Sequence, residues 1–285
     1  MPAALDDRHR PPYSDPLQRV PLPRLSDQVA TLSQAQASQL FSAPTPGLWS
    51  AQRTPRSTVT RRMQFLDVTL RAARDRVPAL RDFYVKRLGL DRTDGDRFAI
   101  GVTTLSFVAG KGEPFYHFAL LVPGDRFAAS LAWAAERVEL LPGGDIDELV
   151  FQFDSWDARA CYFHDPAGNI VELIAHRRVG ANGLAGDFDA SELLGFSELG
   201  LVGNPPEIAG GLEQLGLRLW DGELKPTGLA FYGEHARTFI LSPEGRGWLP
   251  TRRPAEPHPV AVVLSGPPTG EVRVSNHRIT RCLAD

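Results

Sequence analysis

From Met63 onward one unit recurs: a short apolar strand, an amphipathic helix, then two or three further strands. Such a repeat excludes most architectures, because a copy can bury its apolar face only against another element. The first copy opens with the strand QFLDVTL. Val77, Leu80, Tyr84 and Leu88 follow at helical spacing, with Pro78 in the first turn and Gly89 at the end. RFAIGV and TTLSFVAG then read as a hairpin. The second copy starts at FYHFALLVP and has a helix carrying Phe127, Leu131, Ala134, Ala135 and Val138, for which Asp125 is the expected N-cap. Its remaining strands lie in ELVFQF and RACYFHDPAGNIVELIAH. The third copy starts at FSELGLVG, opens its helix with Asn204-Pro205, ends it at Gly216, and finishes with LRLWD, GLAFYGE and RTFILSP. The fourth, HPVAVVLSG followed by GEVRVSNHRITRCL, has lost the helix.

The expected fold class is therefore α+β: repeated βαβββ modules forming two paired curved-sheet lobes, copies one and two in one, copies three and four in the other. The expected boundaries are a first paired domain over 63–178, a linker over 179–193 and a second domain over 194–285. Residues 1–62 are rich in Pro, Ser, Gln, Arg and Ala and show no periodicity, so they read as a disordered or non-native extension, with Met63 as an alternative start.

The 42% hydrophobic and 23% charged content fits a soluble globular chain. A net charge of −3 gives no basic footprint, which excludes a nucleic-acid partner from the expectation. No apolar run approaches the ~20 residues needed to span a bilayer, so no membrane partner is expected either. Two cysteines, Cys161 and Cys282, are too few for a disulfide framework, and a reducing cytoplasm fits best. The expected partner is a small-molecule substrate, with a homodimer left open.

Three ionisable side chains interrupt apolar strands: Asp67 in FLDVTL, His117 in YHFALLV and Glu172 in IVELIA. Strand alternation puts Val171, Leu173 and Ala175 on one face, and Ile170, Glu172 and Ile174 on the other. Burying an unpaired ionised group costs on the order of several kcal/mol, so each must be paired, protonated or metal-bound. If the sheets curve round one cavity the three converge, and imidazole plus carboxylates on one side of a divalent ion leaves positions open for substrate. Tyr162 and His164 share a strand face nearby, where His164 can act as acid or base and Tyr162 can hold an oxyanion. Each residue also has an ordinary reading: His117 hydrogen-bonded in the core, Glu172 salt-bridged, Asp67 capping a turn, His164 bonded to the backbone of its turn. His176 is expected to face solvent.

YHFALLV together with the F-x-DP-x-GN-x-x-E pattern at 163–172 resembles the second module of the vicinal oxygen chelate superfamily, which includes glyoxalase I, fosfomycin and bleomycin resistance proteins and extradiol ring-cleaving dioxygenases. DFYVKRLGL at 82–90 resembles the helix end of a first module, and SELGLV, FYGEHARTFIL and GRGWLPTRRPAEPHPV resemble a C-terminal pair, so the likeness covers nearly everything after Met63. It implies a divalent metal held by a first-strand residue of one module, a first-strand His of the next and a final-strand Glu. His117 and Glu172 match the last two; the first falls on Asp67, or on Phe65 after a shift of two. With Asp67 the set is one His and two carboxylates, which favours Fe(II) or Mn(II), with Zn, Ni or Mg as alternatives. Glu198, Glu234 and His235 in the third copy are expected to be degenerate or structural. The resemblance implies a metal-dependent enzyme acting on a small substrate with vicinal oxygens, a catechol-type ring-cleaving dioxygenase first. The alternatives are a metal-free drug- or metabolite-binding resistance protein and a glyoxalase-type isomerase or lyase.

Overall fold

Pairing between the first strands of the copies organises the chain from Met63 onward. The computed structural model describes residues 62–143, 148–225 and 227–283; the extension expected over 1–62 lies, apart from Arg62, outside them. The first copy supplies β1 (Phe65–Ala73), helix α1 (Val77–Asp82) prolonged by a π-helical turn (Phe83–Arg87), β2 (Arg97–Ile100) and β3 (Thr103–Gly110). The second supplies β4 (His117–Leu121), α2 (Phe127–Ala135), β5 (Phe151–Phe153), β6 (Ala158–His164) and β7 (Ile170–His176). The third supplies β8 (Gly195–Val202), α3 (Pro205–Gln214), β9 (Leu219–Gly222), β10 (Ala230–Glu234) and β11 (Arg237–Ser242). The fourth has β12 (Ala261–Ser265), β13 (Gly270–Val274) and β14 (His277–Cys282), with no helix between β12 and β13.

Within every copy the first strand runs parallel to the last: β1 to β3, β4 to β7, β8 to β11 and β12 to β14. Copies then join first strand to first strand, antiparallel, β1 to β12 and β4 to β8. The result is a six-stranded sheet, β13-β14-β12-β1-β3-β2, and an eight-stranded sheet, β5-β6-β7-β4-β8-β11-β10-β9. These are the curved mixed sheets of a glyoxalase-like βαβββ repeat fold, as expected.

The partners differ from the expectation. Copy two shares its sheet with copy three, and copy one shares its sheet with copy four, so the division at 63–178 and 194–285 does not follow the sheets. The segment between copies two and three explains this locally. Arg126 donates from Nε and Nη2 to Glu192 at 2.7 and 2.9 Å, and to the carbonyls of Leu184, Gly186 and Asp187. Asp125, expected to cap α2, instead accepts from the amides of Asn182 and Gly183, and Arg126 takes the N-cap position. The stapled linker then delivers Leu194, whose amide donates to the Leu121 carbonyl, so β8 starts beside β4.

The eight-stranded sheet has two apolar faces. Phe118, Leu120, Val171, Leu173, Leu199, Leu201 and Phe239 pack toward the six-stranded sheet in one core with Phe65, Val68 and Leu264. Phe65 meets Phe239 edge-on at 5.1 Å and Phe196 at 6.2 Å. The opposite face carries Ala119, Tyr162, Ile170, Ile174 and Ile240, covered by Trp248 from the loop after β11. Strand alternation puts Glu172 on that second face, between Ile170 and Ile174.

Candidate metal centre

The turn Asp165–Asn169 sets the register of the two strands that carry the first two candidate ligands. Asp165 is buried and accepts four hydrogen bonds, from the amides of Ala167 and Asn169, from the Asn169 side chain, and from the Tyr84 hydroxyl on the π-helical turn. Gly168 adopts φ +78°, which its missing Cβ permits. Asn169 Oδ1 accepts the Tyr116 amide at 2.8 Å, which ties the start of β4 to the start of β7 and pairs His117 with Ile170. Glu172 then lies opposite Ala119, two residues beyond His117 on the same face. Glu198 on β8 is also opposite Ala119, from the other side.

His117, Glu172 and Glu198 each bring a ligand-type atom to one point, all within 4.8 Å of one another, and all three side chains are buried. His117 Nδ1–H donates to the Ile170 carbonyl at 3.1 Å, which leaves the Nε2 lone pair facing Glu172 Oε2 at 3.5 Å. Burial pushes the imidazole down to about 4, so an ion pair between His117⁺ and Glu172 does not explain the contact. Burial raises Glu172, and its Glu198 neighbour raises it further, against a hydrogen bond from Tyr162 that lowers it. Glu198 is raised by burial alone. A neutral imidazole lone pair and two enclosed carboxyls facing one point need protons or a cation between them. The donor set fits a divalent ion: a ligating His is commonly oriented by giving its other N–H to a backbone carbonyl, as here.

Of the residues expected at the site, His117, Glu172 and Tyr162 are brought together. Asp67 is not: β1 belongs to the other sheet, and Asp67 Oδ2 accepts from Arg97 Nη2 at 2.8 Å, with Thr69 on Oδ1. The place expected for Asp67 is filled by Glu198, against the expectation that Glu198 is degenerate or structural. Its signal in the sequence was the same as that of Glu172, a carboxylate inside the apolar strand GFSELGLV. His164 is exposed, bonds the Asn169 carbonyl through Nδ1 at 3.2 Å, and lines a separate cleft of about 430 Å³ with Arg76 and Arg253. His176 is buried rather than solvent-facing, stacked on Trp156 and edge-on to His235 at 4.8 Å.

The two copies relate by register. His117 pairs with Ile170 and the residue two further on β7 is Glu172; Glu198 pairs with Thr238 and the residue two further on β11 is Ile240. Three of four equivalent positions thus offer ligand atoms and the fourth is apolar. The cavity above them has a volume of about 80 Å³, with an aromatic wall of Phe153, Trp156, Phe231 and Trp248. Trp248 lies 5.0 Å from the His117 ring. Gly200 makes its seat: a Cβ there would meet the Trp248 ring at 2.9 Å and the His117 carbonyl at 3.1 Å.

No protein-family model matches the sequence, and no curated protein matches it significantly. Among solved structures the chain is similar to a putative dioxygenase from Bacillus subtilis subsp. subtilis str. 168, at 16% identity over 78% of this chain and 86% of that one, with a TM-score of 0.48. It is similar to glyoxalase I from Zea mays at 13% identity, over 77% of this chain and 92% of that one, with a TM-score of 0.43. It is also similar to a glyoxalase/dioxygenase from Nostoc punctiforme at 18% identity, over 45% of this chain and 99% of that one, with a TM-score of 0.30.

Proposed function

We propose that the protein is a metal-dependent enzyme acting on a small substrate with two adjacent oxygens, and that His117, Glu172 and Glu198 hold the metal. The observation that carries this reading is the set of three buried donors within 4.8 Å, with His117 Nε2 unprotonated and aimed at the carboxylates. One imidazole and two carboxylates make a hard, oxygen-rich site that suits Fe(II) or Mn(II), with Mg, Zn or Ni as alternatives. When bound, the metal supplies Lewis acidity to a coordinated substrate oxygen. The chain's own residues do the rest. The Ile170 carbonyl fixes the His117 tautomer. Tyr162 is kept protonated by burial and by the two glutamates; its hydroxyl donates to Glu172 and would have to turn from that carboxylate to meet a developing oxyanion. The aromatic wall and Trp248 exclude water, which strengthens each of these interactions.

Catechol-type ring cleavage is the first reaction to assay, with glyoxalase-type isomerisation second. A cavity of about 80 Å³ is smaller than the ~150 Å³ that encloses a benzene ring, so a catechol would not be fully enclosed in it. Metal analysis of the purified protein is the primary test: one equivalent of divalent metal in the wild type, lost in Glu172→Gln and in Glu198→Gln, supports the assignment. Absence of metal from the wild type after exposure to Fe(II), Mn(II) and Zn(II) overturns it and leaves a metal-free binding protein. With metal present, oxygen consumption on catechols against turnover of a hemithioacetal separates the two reactions.

A further inference from the structure

A cation lines the same cavity with no ion-pair partner among the described residues. Arg246, half-buried in the loop after β11, borders the space together with Glu172, Glu198 and Trp248. Its one side-chain hydrogen bond runs from Nη1 to the neighbouring Gly247 carbonyl at 3.1 Å, and no ion pair among the described residues includes it. Burial lowers the guanidinium, and no carboxylate offsets that shift. The backbone around it is well fixed: the Arg246 carbonyl accepts the Ala255 amide at 2.7 Å, and the Trp248 amide donates to the Arg253 carbonyl at 2.9 Å. Arg253 Nη1 in turn donates to the Gly168 carbonyl, and its guanidinium lies 3.3 Å over the Phe115 ring, so the loop is moored to the turn that organises the metal strands.

The charge balance at this cavity follows from the proposed metal and rests on that reading. A divalent ion cancels the two glutamates, His117 contributes no charge, and Arg246 is left as a net positive charge beside an aromatic wall. We propose that Arg246 is the anion-binding residue of the cavity, and that the substrate is a compact monoanion: a carboxylate with an oxygen on the adjacent carbon. The size follows from the space of about 80 Å³, the charge from the unpaired guanidinium, and the adjacent oxygens from the open positions of the metal. A guanidinium whose five N–H groups spend one on a neighbouring carbonyl retains the fork that pairs with a carboxylate.

The test uses the Mn(II)-loaded full chain and two probes of equal heavy-atom count, pyruvate and butane-2,3-dione, both with adjacent oxygens and only one charged. Binding is read by water-proton relaxation at Mn(II), alongside Mn(II) stoichiometry. Pyruvate is expected to bind at least ~10-fold tighter than the diketone in the wild type, and Arg246→Gln to shrink that ratio by ~10-fold with Mn(II) stoichiometry unchanged. Arg246→Lys keeps the charge and is expected to retain most of the preference. Because Mn(II) itself favours the anion, the change in ratio is the diagnostic quantity. Full stoichiometry with the same ratio in Arg246→Gln overturns this assignment and leaves the metal site standing. Failure of the wild type to take up Mn(II) overturns both, since the adjacent-oxygen part of the assignment rests on the open positions of the metal.

Discussion

Raising the pH should weaken the metal-free protein, and replacing Glu198 should remove much of that weakness. Glu172 and Glu198 are both buried, with their carboxyls raised, Glu198 to about 8. A carboxyl raised on folding keeps its proton in the native state, while the unfolded chain releases its own above ~4.3. The native state is therefore favoured most below that value, and loses ground with each pH unit until its own carboxyl ionises near the raised value. His117 and His176 act in the opposite sense. Both are lowered to about 4, so they penalise the native state only in acid, and their contribution is complete above the ordinary imidazole value of ~6.5. Between about pH 7 and about pH 8 the carboxyls are left to dominate. A carboxyl that holds its proton throughout costs about 1 kcal/mol over this interval, and Glu198, half ionised at about 8, costs no more than that, so the pair costs on the order of 1–2 kcal/mol from a total stability on the order of 5–15 kcal/mol. Guanidinium chloride unfolding in EDTA at the two pH values should show this fall, and Glu198→Gln should reduce it by about 1 kcal/mol. Saturating Mn(II) should flatten the dependence, because the ion binds the ionised carboxylates, and should add ~4 kcal/mol at a thousandfold excess over Kd. An equal fall in the wild type and in Glu198→Gln would refute the claim that this acid is held protonated in a closed site.

Asp67→Asn and His164→Ala should each leave metal stoichiometry unchanged. Asp67→Asn should cost less than ~1 kcal/mol, because the Arg97 pair it weakens is partly solvent-exposed; metal loss in either variant by elemental analysis would contradict the placement of the site. Gly200→Ala should cost ~1–3 kcal/mol, since the new Cβ meets both the Trp248 ring and the His117 backbone carbonyl. Trp248 should become more accessible to an acrylamide quencher in that variant, and an unchanged emission and midpoint would show that the loop does not rest on Gly200.

The sequence made local facts legible and left non-local ones open. YFHDPAGNIVELIAH carries its own geometry: a turn whose Asp and Asn side chains bond the backbone, then a strand whose alternation isolates one carboxylate, so Glu172 and the paired His117 could be read directly. Tyr162 and His164 were placed on one strand face by the same alternation, but alternation does not say where a cavity ends, and it ends before His164. Arg246 and Trp248 sit in an aperiodic loop, where no spacing rule marks a side chain as facing a site. The third candidate ligand turned on which copies share a sheet. FLDVTL and GFSELGLV present the same local signature, a carboxylate in an apolar first strand, and nothing within either segment separates them. Pairing decides: β8 lies against β4 and puts Glu198 opposite Ala119, whereas β1 lies against β12 and puts Asp67 opposite Val263. The donor chemistry survives the exchange, one imidazole and two carboxylates in either case, so the class of metal could be argued without knowing the third residue. The exchange does change what can compensate for a lost ligand. Asp67 belongs to another sheet and is engaged with Arg97, so it cannot take over from Glu198; at the proposed site a Glu198 variant would have to regain metal from within the second and third copies, and Ile240, the apolar fourth corner of the cavity, is the position where a carboxylate would have to be introduced.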